Sequence, residues 1–145
     1  MARRAAVAAR YLVDTSAAAR MHHERVAERV APLITAGLVA TCAPLDFEAL
    51  FSARSPQDYE QIRADRQAAY EYLPVLDEHW QRALDVQRSL ARLSRHRDVG
   101  LTDLLVAAVA EQHRITVLHY DSDYDVISEL IDLQARWVVA RGNID

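Results

Sequence analysis

The sequence predicts an α/β domain, a central parallel β-sheet flanked by α-helices on both faces. Two observations predict it. Short apolar runs that read as strands alternate with helical segments along the whole chain, the pattern of parallel strands joined by helical crossovers. One helical segment, beginning at Asp103, is apolar on every side and so must be enclosed by other elements. A third observation concerns chemistry: Asp14 and Asp121 each sit just past the end of an apolar strand. Parallel sheets bind ligands at the carboxyl ends of strands where the strand order reverses. The two carboxylates converge if their strands are neighbours there.

At 145 residues the chain fits one domain with a sizeable core, and we read residues 10–142 as that domain behind a short arm, residues 1–9. With 51% apolar and 26% charged residues, the composition is that of a globular protein and not of a disordered chain. No apolar run approaches the roughly 18 residues needed to span a membrane. The apolar part of the N-terminus ends at Arg10 and is shorter than a secretory core of about 7–15 residues. Cys42 is alone and cannot form an internal disulfide, so a cytoplasmic location is expected. All 17 basic residues are Arg, which excludes Schiff-base lysine chemistry and a Walker A lysine. A net charge of −4 is not that of a general nucleic-acid binder, but a local basic surface remains open.

The elements follow in order. Tyr11-Leu12-Val13 reads as a strand entering a helix that Thr15 or Ser16 would cap. Residues 23–36 carry Val26, Val30, Leu33 and Ile34 at helical spacing, with Gly37 as the stop. Residues 38–41 form a second strand, and Pro44 opens a helix to about Ser52 with Leu45, Ala49 and Leu50 inward. Ser55-Pro56 opens a polar helix to about Tyr72. Leu73-Pro74-Val75 is a third extended piece, which Pro74 would confine to an edge. Residues 78–95 make an amphipathic helix built on Trp80, Leu84, Leu90 and Ala91. After the loop 97–100 come the apolar helix 103–113, a strand at 115–118, a helix to about Leu133 and a last strand at 136–139.

The carboxylates carry the chemistry. Each alone has an ordinary explanation. Asp14 could be a helix cap, and Glu48 or its rival Asp46 could be a helix-start acid answering the macrodipole. Asp103 is harder to explain, because Thr102 could cap the buried helix without it. In Asp121-Ser122-Asp123-Tyr124-Asp125, three acids lie within five positions, and such crowding is costly unless a cation sits among them. Asp121, nearest the strand end, is the expected ligand. Asp123 is a second ligand or the holder of metal-bound water, and Asp125 a solvated helix-start residue. An oxygen-only set suits a hard cation, Mg²⁺ or Mn²⁺. His22, His23 and His119 lack a zinc-like arrangement and are expected to lie at the surface or to pack.

In order, Leu12-Val13-Asp14-Thr15-Ser16, Glu48, Asp103-Leu104-Leu105-Val106-Ala107-Ala108 and Thr116-Val117-Leu118-His119-Tyr120-Asp121-Ser122-Asp123-Tyr124 resemble the motifs of PIN-domain ribonucleases. The likeness is closest to VapC toxins of type II toxin–antitoxin modules, and Arg136-Trp137-Val138-Val139-Ala140-Arg141-Gly142 is similar to the ending of actinobacterial members. The resemblance implies a PIN fold and an acidic, metal-binding quartet of Asp14, Glu48, Asp103 and Asp121. Asp123 matches a more variable acidic position, and Ser16, beside Thr15, the hydroxyl that supports the site. It also implies a Mg²⁺- or Mn²⁺-dependent endoribonuclease that inhibits translation and growth, acting on tRNA, rRNA or mRNA. A homodimer and a cognate VapB antitoxin whose tail blocks the site follow from the same likeness. Metal-activated water needs no 2′-hydroxyl, so the expected products are a 5′-phosphate and a 3′-hydroxyl. The chain departs from such toxins in the nine residues before its first strand and in Pro74.

An acidic site must still attract a polyanion. Arg88, Arg92 and Arg95 lie at i, i+4 and i+7 with Arg97 following, and Arg54 lies just past the Glu48 helix. They read either as phosphate contacts or as a solvated face paired with acids such as Asp85. Tyr59, Tyr70, Tyr72, Arg3 and Arg4 are candidate contacts for protein partners. A phosphatase using a nucleophilic aspartate needs a second Asp two residues on and a lysine. Ser16 stands at the first of these positions and the chain has no lysine, which also argues against a receiver domain. A PIN domain that only binds RNA would show a broken carboxylate set, and all four matched positions are intact.

Overall fold

A computed structural model describes residues 7–144. Arg3 and Arg4 lie outside the described residues, as does most of the expected arm. Its last part lies against the body of the domain: Ala9 is fully buried and its N–H donates to Glu71 Oε1 at 3.0 Å.

Five parallel strands form one sheet in the order β3-β2-β1-β4-β5, comprising β1 (Tyr11–Val13), β2 (Val39–Thr41), β3 (Glu71–Tyr72), β4 (Thr116–His119) and β5 (Ala135–Trp137). The chain builds outward from β1 to β3 and then crosses back to place β4 on the other side of β1. The order therefore reverses between β1 and β4, where Leu12 is in register with Val117 and Val13 with Leu118. The Asp14 N–H donates to Leu118 O at 2.9 Å and continues that ladder into the site.

Alternate strand residues feed two cores, as the period of two in a strand requires. Leu12, Ala40 and Val117 face Leu45 of α3 (Ala43–Phe51), Leu90 of α5 (Asp77–Arg92), Val106 of α6 (Leu101–His113) and Tyr124 and Ile127 of α7 (Asp123–Ser128). Val13, Val39 and Leu118 face Ala17 of α1 (Thr15–Ala18), Val26 and Val30 of α2 (Glu24–Thr35), and Val138. Helix α6 is the central one, with every residue from Leu104 to Ala110 buried, as its apolar surface demands.

Several expected boundaries move. The polar helix α4 spans Pro56–Ala69 and stops early, so that Glu71 and Tyr72 pair with Ala40 and Thr41. The third strand thus precedes Pro74, whose ring lacks the N–H a ladder needs, although β3 is an edge strand as expected. Helix α7 has only six residues and β5 begins at Ala135. The cap of α1 is Asp14 and not Thr15 or Ser16, and the cap of α6 is Gly100 and not Thr102, which lies inside the helix.

The face of α5 is corrected most. Trp80 and Leu84 are 53% and 54% exposed, and Ala91 is also exposed. The buried stripe is His79, Ala83, Val86 and Leu90. Small Ala83 allows close approach to α6, and the imidazole enters because both its nitrogens are satisfied. Its Nδ1 accepts from the Leu76 N–H at 2.9 Å, and its Nε2 pairs with Gln112 Oε1. This register predicts that Leu90→Ala lowers unfolding free energy by about 2–5 kcal/mol in chemical denaturation. Leu84→Ala should change it by about 0.5 kcal/mol or less.

Candidate functional site

The carboxyl ends of β1 and β4, the start of α6 and Glu48 of α3 enclose an open acidic cleft. Asp14 lies at its floor and is 3% exposed. One carboxylate oxygen, Oδ2, accepts from the Ser16 N–H at 3.0 Å and from the Ser16 hydroxyl at 2.6 Å. The other, Oδ1, accepts from the Tyr124 hydroxyl at 2.6 Å. Asp14 is therefore both a helix cap and a member of the cluster, two roles that the sequence left as alternatives. Ser16 in turn accepts from the Tyr120 N–H at 2.8 Å, which ties the end of β4 to the end of β1.

Asp103 enters from the first turn of α6 and Asp121 from the loop after β4. One oxygen from each of Asp14, Asp103 and Asp121 lies within 4.8 Å of the others. Burial, the negative charge of Asp14, the hydrogen bond with Asp123 and the charge of Asp121 together push the Asp103 carboxyl up to about 9. A helix N-terminus favours an anion by only about 0.3–1 kcal/mol, so at Asp103 burial and crowding win.

The other expected residues stand one step out. Glu48 is exposed and faces the cleft, and its Oε1 accepts from the Thr15 hydroxyl at 2.7 Å. The rival Asp46 turns away, accepting from the Thr41 hydroxyl at 2.8 Å and pairing with Arg66 at 2.9 Å. Asp123 hydrogen-bonds with Asp103 and accepts from the Gly100 N–H at 3.2 Å, which fixes the loop entering α6. Asp121 Oδ1 accepts from the Asp123 N–H at 2.9 Å, so the cap-like contact of α7 comes from Asp121. Asp125 instead accepts from the Trp137 indole N–H at 3.2 Å and is exposed.

Three carboxylate oxygens at this spacing, with no nitrogen or sulfur donor among them, fit a hard divalent cation. Burial and the neighbouring charges of Asp14 and Asp121, which raise the Asp103 carboxyl, are both costs that a bound cation would offset. His119, as expected, packs instead. It is fully buried against the rings of Tyr124 and Trp137, and burial lowers its pKa.

The basic stripe is only partly available. Arg95 is committed to Asp98 at 3.3 Å and Glu129 at 3.7 Å, whereas Arg88 and Arg92 are exposed and form no ion pair among the described residues. Arg54 is exposed beyond the end of α3. Sequence reasoning missed Tyr124. Its one signal was an aromatic residue set among the acids of Asp121-Ser122-Asp123-Tyr124-Asp125, where only a buried role explains it.

Residues 11–130 match the family model described as the PIN domain. Ribonuclease VapC21 of Mycobacterium tuberculosis is 43% identical over 133 residues, covering 92% of this chain and 96% of the relative. Ribonuclease VapC51 of the same species is 37% identical over 139 residues, covering 96% and 100%. Among solved structures, the DNA-bound VapBC of Salmonella typhimurium aligns with a TM-score of 0.74 at 14% identity, covering 90% of this chain and 99% of that one. VapBC2 of Rickettsia felis, bound to a promoter DNA fragment, aligns at 0.71 and 13% identity, covering 88% and 98%. At such identities the structural likeness is one of fold, while the two relatives extend it to sequence. With the acidic cluster at the β1–β4 crossing and a family match over most of its length, the chain belongs to the PIN-domain family, among the VapC ribonucleases.

Proposed function

We propose that this chain is a Mg²⁺- or Mn²⁺-dependent endoribonuclease and the toxin of a VapBC-type module. The observation that carries the reading is the meeting of Asp14, Asp103 and Asp121 at the strand-order reversal. These three would hold the cation. Bound there, it would supply Lewis-acid polarisation of water and of the scissile phosphodiester. Ser16 orients Asp14 through two donors, and Thr15 orients Glu48 towards the same cleft. Glu48, which lines the same cleft, would complete the coordination through water. Asp123 steadies Asp103 and the Gly100 backbone.

Arg88 and Arg92, exposed and without an acidic partner among the described residues, would meet phosphates and position RNA without reading its sequence, with Arg54 as a further phosphate site beyond α3. The solved VapBC neighbours include a member of a toxin–antitoxin family, which supports a cognate VapB antitoxin as partner, and a homodimer of the toxin is part of the same proposal. No helix among the described residues is long and apolar enough to cross a membrane. A cytoplasmic location belongs to the same proposal, because an RNA-cleaving toxin must meet its substrate there.

Incubation of purified protein with total RNA tests the reading. Cleavage should need Mg²⁺ or Mn²⁺, stop with chelator, and fall more than about 100-fold in Asp14→Asn, beyond the usual loss for a supporting residue. Cleavage that survives both chelator and substitution would overturn it. Arg88→Glu with Arg92→Glu should weaken RNA binding across sequences and reduce the salt slope by about one for each phosphate that is no longer neutralised.

The raised Asp103 carboxyl adds a pH signature. Its folded value near 9 lies above the ordinary 3.8, so the native state keeps a proton that the unfolded chain releases. In chelator, thermal stability should therefore be greatest below pH 4 as far as this group is concerned, and should fall as pH rises towards 9. Saturating Mg²⁺ should flatten that slope, because the cation replaces the proton.

A further inference from the structure

We propose that Tyr124 is a positioning residue for this site, its one hydroxyl holding Asp14 and Asp103 side by side at ligand spacing. The proposal rests on the reading of Asp14, Asp103 and Asp121 as a cation site. Tyr124 is fully buried in α7, with its ring 4.8 Å from that of His119. Its hydroxyl donates to Asp14 Oδ1 at 2.6 Å and lies 3.2 Å from Asp103 Oδ1. The hydroxyl has a single proton, so the short contact is the donated bond and the longer one its shared branch.

Both polar contacts of this hydroxyl are to carboxylates of the cluster. A phenyl ring would fill the same volume in the core, so the oxygen serves the carboxylates rather than the packing. With Ser16 on one Asp14 oxygen and Tyr124 on the other, the Asp14 side chain is held from two sides and cannot turn. A carboxylate has about four lone-pair sites, so these three bonds leave about one direction, on Oδ1, free for a cation. The hydroxyl also spans to α6, which fixes the distance between a strand-end ligand and a helix-start ligand. Groups that orient metal ligands in this way typically change metal affinity by about 10–100-fold when removed.

The test compares Mn²⁺ binding to the full chain, read from the spin-resonance signal of free Mn²⁺, in wild type, Tyr124→Phe, Tyr120→Phe and Asp14→Asn. Tyr120 also carries a bonded hydroxyl, donating to Ile144 O at 2.8 Å, but it touches no carboxylate of the cluster. The expected result is Mn²⁺ binding about 10–100-fold weaker in Tyr124→Phe and unchanged in Tyr120→Phe. RNA cleavage by Tyr124→Phe should return to near the wild-type rate at saturating Mn²⁺, with the metal requirement shifted by the same factor as the affinity. Wild-type affinity in Tyr124→Phe, or equal losses in both tyrosine variants, overturns the proposal. Failure of the underlying site looks different: wild type then shows no saturable Mn²⁺ binding, or Asp14→Asn binds as wild type does. If Tyr124→Phe does not fold, fluorine NMR of fluorotyrosine-labelled protein decides. A tyrosine resonance that survives Tyr120→Phe should move saturably with Mg²⁺ in wild type and not in Asp14→Asn, and its failure to move overturns the proposal.

Discussion

Mutual repulsion among Asp14, Asp103 and Asp121 is the constraint on which the rest of this structure turns. Their oxygens lie within 4.8 Å of one another. At an effective dielectric of about 20, each such pair of charges opposes the others by about 3–4 kcal/mol. A hydrogen bond to a charged group returns about 1.5–3 kcal/mol, and a helix N-terminus less than that. Protein donors alone therefore do not hold three ionised carboxylates together. Either a proton stays on Asp103, the direction in which its carboxyl is pushed, or a cation neutralises the group.

The fold supplies the force that keeps them close. The crossing between β1 and β4 brings two strand ends together, and the buried helix α6 drives Asp103 into the gap between them. Leu12 of β1, Val117 of β4 and Val106 of α6 share one core, so apolar packing holds together the elements that carry the three acids. Ser16, Thr15, Tyr124 and Asp123 then orient the acids, each from a different direction. The crowding of the three acids is thus electrostatically costly in the protein alone, and a divalent cation, with which the cluster is compatible, would relieve it. That is the arrangement expected of a centre built to bind one.

Much of this was legible in the sequence wherever the signal was local. Strand ends at Asp14 and near Asp121, the enclosed helix at Asp103 and the oxygen-only set all follow from residue type and periodicity. Where the expectation failed, two local patterns competed. Trp80 and Leu84 have helical spacing, but so do His79, Ala83, Val86 and Leu90, and apolar character alone favoured the wrong stripe. His79 enters the core with both nitrogens partnered, and one of those partners, Gln112, lies 33 positions away. In the sequence Asp14 reads as a cap or a ligand, whereas a carboxylate with two oxygens serves both Ser16 and Tyr124.

Composition and periodicity by themselves determined an α/β domain, an acidic centre suited to a hard cation, and the order of the motifs along the chain. Those properties depend on neighbours within a few turns. Tertiary structure alone decided which acids converge. It turned Asp46 to Arg66 and Glu48 to the cleft, moved Asp123 outward, committed Arg95 to Glu129, and brought a tyrosine hydroxyl against Asp14 across 110 positions. Such contacts depend on how the sheet is ordered and how α6 and α7 pack against it, and no local pattern carries that information.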